Sequence, residues 1–237
     1  MYSHWQIAKK YAGYYLRAAN AHGHGTHSPF VFDFIVHVLN SKEKHSSFFL
    51  IERYRKRLLK DDRKLLIEDY GAGSAVADSN ERKISEIARS SLKRKKYATL
   101  LFRIARYYQC KQIVELGTSL GTTTAYLALS SPDAKVTTLE GAGKVADIAE
   151  DFFDHTELDN IRLIRGPFDE TLPGLLKDMQ KADLMFIDGN HQEEPTLHYF
   201  DLFLNKAHND TILIFDDIHW SEGMEKAWKS IKAHPEV

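Results

Sequence analysis

Two adjacent carboxylates, Asp216 and Asp217, directly follow the apolar run TILIF near the end of this chain of 237 residues. No lysine or arginine stands next to them in the sequence, and like charges side by side repel each other. An uncompensated acidic pair at the end of a buried strand is typical of a site that holds a ligand. The sequence therefore raises the question of what these two acids hold.

A third acid, Asp188, follows another apolar run, DLMFI, and has Asn190 and His191 close behind it. His219 comes two residues after Asp217. Three carboxylates with neighbouring amide and imidazole groups suit a hard divalent ion such as Mg²⁺. Without a metal, either histidine could act as a general base, because an unperturbed imidazole titrates near neutral pH. The residue types alone leave both possibilities open.

The elements that carry these side chains form a repeated pattern from residue 112 onward. Short runs rich in Val, Ile, Leu, Phe and Thr alternate with helical patterns, which predicts parallel strands joined by crossover helices. The five runs are QIVEL, KVTTL, IRLI, DLMFI and TILIF. We therefore expect an α/β fold with a parallel sheet, in which Asp188, Asp216 and Asp217 face one crevice at the carboxyl ends of the strands.

The first part of the chain contains helical patterns over residues 2–19, 28–40, 47–59 and 81–92. We predict a helical lid or platform over residues 1–110, packed on a sheet domain that spans 111–237. Three further signals lie in or beside the helices. The histidines of AHGHGTH (His22, His24 and His27) could suggest a zinc site, but a lid loop that closes over the substrate is favoured because glycine makes the segment mobile. GAGS at 71–74 is expected in a turn that contacts the crevice, and LKRKKY at 92–97 in a solvated helix end rather than an RNA contact.

A glycine turn follows the first strand, where QIVEL leads into GTSLGTTTAYLA. Gly117 and Gly121 lack the Cβ atom that would obstruct a ligand's approach to the free backbone N–H groups. The next strand leads to Glu140, 19 positions after Gly121, where nucleotide-binding sheets place an acid that accepts both hydroxyls of a ribose. The glycines alone fit an ordinary tight turn, but the turn and the acid together indicate an adenosine-containing ligand.

Two details favour S-adenosylmethionine over a dinucleotide as that ligand. Ser119 and Thr122 occupy the third and sixth positions of the turn, where the dinucleotide pattern G-x-G-x-x-G requires glycine. Glu115, just before the turn, would repel a pyrophosphate but attract the ammonium and sulfonium charges of S-adenosylmethionine.

VELGTSLGTTTAYLA resembles motif I of the class I S-adenosylmethionine-dependent methyltransferases, and TLEGAG resembles motif II. IRGPFDETLP and LMFIDGNHQEEPTLHYF are similar to later segments of the catechol O-methyltransferase-like branch and its bacterial relatives, and HGHGTHSPF resembles bacterial proteins of unknown substrate. The resemblance covers roughly residues 110–233 and implies a Rossmann-like fold with an N-terminal helical extension. It also implies two further strands, which we expect beyond Val237.

The resemblance assigns a role to each candidate site residue. Contacts to the methionine end of the cofactor are implied for Glu115, Gly117, Ser119 and Gly121, a ribose contact for Glu140, adenine contacts for Phe168 and Asp169, and a place near the transferable methyl group for Asp188. The implied catalytic residues are Asp188, His191, Asp216 and His219, and the implied Mg²⁺ ligands are Asp188, Asp216 and Asp217. Ser119 departs from the wider superfamily, which usually has glycine there.

The expected function is methylation of an oxygen on a small-molecule acceptor by in-line transfer. Two alternatives stay open from the sequence: a nicotinamide-dependent oxidoreductase, which shares the sheet and Glu140, and a non-catalytic interaction module built on the same fold.

Composition excludes several other classes of protein. Lys plus Arg (32) nearly balance Asp plus Glu (33), so no global field favours nucleic acid or an anionic membrane. The single cysteine, Cys110, excludes an intramolecular disulfide framework. The sequence shows neither a signal peptide nor a membrane span, and we expect a cytoplasmic protein whose aromatic helices are compatible with a homodimer.

Overall fold

The computed structural model describes residues 28–67 and 81–237, together with Tyr2, Trp5, Gln6 and Lys9. Most of the predicted helix over 2–19, all three histidines of AHGHGTH and the GAGS turn lie outside the described residues. Within the described residues, no helix is long and apolar enough to cross a membrane.

A five-stranded parallel sheet forms the centre of the fold. Two short antiparallel strands precede it, β1 (Lys64–Leu66) and β2 (Glu81–Lys83). The parallel strands are β3 (Gln112–Leu116), β4 (Lys135–Glu140), β5 (Ile161–Arg165), β6 (Leu184–Ile187) and β7 (Ile212–Phe215). Their order across the sheet is β5-β4-β3-β6-β7. The chain adds β4 and β5 on one side of β3 and then β6 and β7 on the other side, so the topological switch point lies between β3 and β6. The carboxyl ends of these two strands define the crevice where ligands bind in such sheets.

The helices lie before, between and after the strands. They are α1 (Pro29–Asp33), which continues as a π-helical segment (Phe34–Leu39), α2 (Phe48–Leu58), α3 (Ile84–Ser91), α4 (Lys95–Tyr107), α5 (Thr122–Ala128), α6 (Gly143–His155), α7 (Phe168–Asp178), α8 (Glu193–Leu204) and α9 (Glu222–Lys232). Ser28 caps α1 through its hydroxyl, which accepts a hydrogen bond from the Val31 N–H at 3.3 Å.

The prediction of five parallel strands is confirmed, because each predicted apolar run coincides with one of them to within one residue at either end. In the first half, one prediction is wrong and one helix was missed. Residues 81–83 form β2 rather than the first turn of a helix, since their backbone pairs with β1. Helix α4 was not predicted, because it begins with basic residues that are typical of a solvated segment. Its apolar face, which includes Ala98, Leu101 and Phe102, is buried.

The described N-terminal helices pack on one face of the sheet. Helices α2 and α3 share a hydrophobic cluster with α5 and α6, in which the rings of Tyr54 and Phe152 stack with centroids 3.7 Å apart. Helices α4 and α5 cover Ile113 and Phe186 of the sheet. The opposite face is covered by α7 and α8. The boundary at residue 110 between a helical region and a sheet domain stays a prediction.

A first testable expectation concerns Gly174, an exposed residue inside α7. A Cβ atom added there would meet no described atom within 4 Å. Because glycine loses more backbone entropy in a helix than alanine, Gly174→Ala should raise the free energy of unfolding by about 0.5–1 kcal/mol. Urea denaturation monitored by circular dichroism measures this change, and a lower free energy of unfolding would contradict the open environment of this position.

Candidate active site

The glycine turn after β3 has a backbone that only glycine adopts without strain. Gly117 has a φ of 100°, and a Cβ atom there would lie 2.1 Å from the carbonyl oxygen of Asp188. Gly121, at the start of α5, has a φ of 78°, and its Cβ atom would lie 2.8 Å from the ring of Phe153. The two glycines therefore allow the turn to fit closely between the loop after β6 and helix α6.

Glu140 fastens this turn from the neighbouring strand. Its Oε2 atom accepts a hydrogen bond from the Ser119 N–H at 2.8 Å, and its Oε1 atom accepts one from the Ala142 N–H at 2.9 Å. Burial raises the pKa of the carboxyl group, and these backbone donors act in the opposite direction. The acid predicted to bind a ribose thus stands beside the glycine turn, held in one orientation.

Glu115 lies fully buried in the middle of the sheet, under the same turn. Its Oε2 atom accepts hydrogen bonds from the hydroxyls of Thr124 at 2.5 Å and Thr138 at 2.7 Å. Its Oε1 atom has no hydrogen-bond partner among the described residues. Burial raises the pKa of Glu115 to about 8, although the two hydroxyls favour the ionised form.

Buried polar atoms without partners suggest that this part of the crevice is completed by a ligand, because buried polar groups are normally hydrogen-bonded. Besides the Glu115 Oε1 atom, the hydroxyl of Thr122 is buried and unpartnered within the described chain. A carboxylate and a hydroxyl beside a helix start can receive the charged amino-acid end of S-adenosylmethionine. The residues present fit that group.

The residues predicted to flank an adenine lie at the start of α7. Phe168 packs against Gly189, where a Cβ atom would come within 2.6 Å of its ring. The carboxylate of Asp169 accepts a hydrogen bond from the Tyr199 hydroxyl at 3.0 Å, and this hydroxyl in turn accepts one from the Asn190 amide at 3.0 Å. The sequence did not single out Tyr199, whose hydroxyl links the loop after β6 to Asp169.

The principal unpredicted feature of the site is Lys93, in the segment between α3 and α4. Its ammonium group lies 2.9 Å from the Oδ2 atom of Asp188 and also contacts the Oδ2 atom of Asp216. The side chains of Lys93 and Asp188 are only 16% and 15% exposed, so water screens this pair weakly. The Nζ atom also lies over the ring of Phe186, 5.7 Å from its centroid.

Strand alternation explains how one lysine reaches both acids. Phe186 and Ile214 are neighbours on β6 and β7, and their side chains point to the face of the sheet that α4 covers. Asp188 and Asp216 follow two residues later and return to that face, because side chains alternate along a strand. The prediction that LKRKKY is a solvated helix end is therefore wrong for Lys93. The three basic residues that follow it are exposed.

The other two polar side chains near β7 are arranged differently. Asp217 has a left-handed backbone with a φ of 50°, and its Oδ2 atom lies 3.6 Å from the Nε2 atom of His191. His219 is 67% exposed and is hydrogen-bonded to Glu225 at 2.9 Å. The structure thus brings His191 beside Asp217, whereas His219 pairs with Glu225.

The predicted Mg²⁺ ligands do not fit a divalent ion in this arrangement. The carboxylates of Asp188 and Asp216 share the ammonium of Lys93, which would repel a dication placed between them. Single ligand atoms of Asp188, His191 and Asp217 do lie within 4.8 Å of one another. Asp188, however, belongs both to this group and to the pair of acids that contacts Lys93, so its carboxylate already has a cationic partner.

Several residues around the crevice adopt backbone conformations that are unfavourable for residues other than glycine. Ser119, Asn190 and Asp217 have φ values of 47°, 62° and 50°. Each lies in a loop that follows one of the strands β3, β6 and β7. Such conformations persist where surrounding structure enforces them, and they concentrate at functional sites.

Residues 114–218 match a family model described as a methyltransferase domain. The chain is also 29% identical over 118 residues to a catechol O-methyltransferase of Niastella koreensis. That match covers 48% of this chain and 52% of the relative, so the chain spans about half the length of the curated protein it matches.

Solved structures are similar to this chain at the level of the fold. An O-methyltransferase from Bacillus cereus in complex with SAH superposes with a TM-score of 0.61, at 18% identity, over 86% of this chain and 85% of that one. The SAH-bound methyltransferase PaMTH1 of Podospora anserina gives a TM-score of 0.61 at 14% identity, over 99% and 90% of the two chains. The predicted Rossmann-like methyltransferase fold is thereby confirmed.

Proposed function

We propose that this chain is an S-adenosylmethionine-dependent methyltransferase that modifies an oxygen of a small-molecule acceptor. The observation that carries the proposal is the pair of buried acids around the glycine turn. Glu140 is oriented by the turn itself, and Glu115 keeps one carboxylate oxygen without a partner among the described residues. Relatives described as O-methyltransferases support this choice over a nicotinamide-dependent oxidoreductase.

The side chains of the crevice would bind and orient the reactants. Glu140 would accept hydrogen bonds from the ribose hydroxyls, and Glu115 would pair with the ammonium of the methionine end. Phe168 and Asp169 would hold the adenine from the start of α7. S-adenosylmethionine, when bound, supplies a methyl group on a positively charged sulfur. Rigid placement of both reactants can lower the barrier to transfer by several kcal/mol.

His191 is the residue we propose as general base for the acceptor hydroxyl. Its ring lies beside Asp217, which can orient the imidazole and stabilise its protonated form. His219 fits this role less well, because Glu225 holds it at an exposed position. A homodimeric assembly and a cytoplasmic location are further parts of the proposal. The buried, single Cys110 supports a reducing compartment.

Calorimetric titration with S-adenosylhomocysteine and, separately, with NADH tests the cofactor assignment. We expect S-adenosylhomocysteine to bind and NADH not to bind. Glu140→Gln should lower the affinity for S-adenosylhomocysteine by about 10- to 100-fold, because a charge-assisted hydrogen bond to the ribose is lost. Glu150→Gln, at an exposed position of α6, is the matched control and should bind as the wild type does. Preferred binding of NADH would overturn the proposal.

A further inference from the structure

The two acids at the ends of β6 and β7 already have a cation from within the chain. Lys93 contacts both Asp188 and Asp216, and the partly buried position of all three side chains strengthens their attraction. A divalent ion between these carboxylates would have to displace the lysine and overcome its charge.

We propose that Lys93 takes the place of a divalent cation in the acceptor site, so that methyl transfer by this protein is independent of metal. The proposal deepens the proposed function and depends on it, because it concerns the acceptor half of the same crevice.

The geometry supports this role in a second way. A lysine ammonium carries three N–H donors. The ion pairs with Asp188 and Asp216 occupy part of this donor capacity, and no further polar partner of the ammonium is found in the part of the chain that the structure describes. A remaining donor can bind an oxygen of the acceptor, which is the task that a metal ion performs in a metal-dependent site.

The fold itself holds the lysine in place. The side chain of Lys93 passes over Phe186, and Ser91, two residues earlier, has its hydroxyl 2.8 Å from that of Ser119 in the glycine turn. The end of α3 and the segment that follows it thus contact the cofactor half and the acceptor half of the crevice together. The neighbouring Lys95 is exposed, which makes it a matched control.

The test is a titration with Mn²⁺, which carboxylates bind much as they bind Mg²⁺ and which is followed by electron paramagnetic resonance. The wild type and Lys95→Ala should bind Mn²⁺ no better than a protein surface does, with dissociation constants above about 1 mM. Lys93→Ala frees both carboxylates and should bind Mn²⁺ at least about tenfold more tightly. Lys93→Arg restores a cation and should lose this gain, as should Lys93→Ala combined with Asp216→Asn.

Two results would overturn the proposal. One is tight Mn²⁺ binding by the wild type, which needs no variant and is informative even if Lys93→Ala fails to fold. The other is a folded Lys93→Ala protein that gains no Mn²⁺ affinity. A parallel titration with S-adenosylhomocysteine separates this outcome from failure of the proposed function. A wild-type protein that does not bind S-adenosylhomocysteine would contradict the proposed methyltransferase function, but not the pairing of Lys93 with the two acids.

Discussion

Gly117→Ala should destabilise the protein by about 3 kcal/mol or more and abolish binding of S-adenosylhomocysteine. The added Cβ atom would lie 2.1 Å from the carbonyl oxygen of Asp188, and the φ of 100° is unfavourable for alanine. The obstructing atom belongs to the backbone of the loop after β6, so it cannot rotate away as a flexible side chain could. Chemical denaturation and calorimetry measure the two effects.

Gly143→Ala is the control for this substitution. Gly143 begins α6, and a Cβ atom there would meet no described atom within 4 Å. We expect its stability and cofactor affinity to equal or slightly exceed those of the wild type. A Gly117→Ala protein with wild-type stability and affinity would show that the turn does not approach the Asp188 loop as closely as described.

The second large effect should appear in the pH dependence of stability. Burial raises the pKa of Glu115 from an ordinary value of 4.5 to about 8, so the folded protein keeps a proton that the unfolded chain releases above pH 4.5. Stability falls with rising pH wherever the folded state binds more protons. Glu115 therefore contributes a loss of stability that grows from about pH 4.5 and levels off above about pH 8.

Glu115→Gln isolates this contribution, because glutamine resembles the protonated acid at every pH. The variant should match the wild type near pH 4.5 and exceed it near pH 8 by about 2–4 kcal/mol. Urea denaturation across this pH range measures the difference, with Glu150→Gln as the exposed control. A stability difference that does not change with pH would contradict the raised pKa.

The sheet could be predicted from the sequence because its signal is local. Each strand is a short apolar run, and the crossover pattern specifies parallel pairing. Gly117, Gly121 and Glu140 could be placed at one end of the sheet in the same way, and the structure has them there. Helix α4 escaped prediction because its apolar residues follow a run of charges that is typical of a solvated segment.

The partner of the acidic residues could not be predicted for a different reason. We predicted one crevice for all three acids. In the structure, alternation along β6 and β7 returns Asp188 and Asp216 to the face that carries Phe186, whereas Asp217 lies beside His191. Which cation they meet depends on how α3 and α4 pack on that face, and this is a tertiary property. Among the four positive charges of LKRKKY, only the position of Lys93 in the folded chain distinguishes it from its exposed neighbours.

A crystal structure of the chain grown with S-adenosylhomocysteine tests the central claim most directly. We expect the ribose hydroxyls within about 2.6–3.2 Å of the Glu140 carboxylate, with the methionine ammonium facing Glu115 and the sulfur facing the crevice beside Asp188. Lys93 should stay between Asp188 and Asp216 in that structure. A ligand bound elsewhere, with Glu140 contacting only Ser119 and Ala142, would contradict the account.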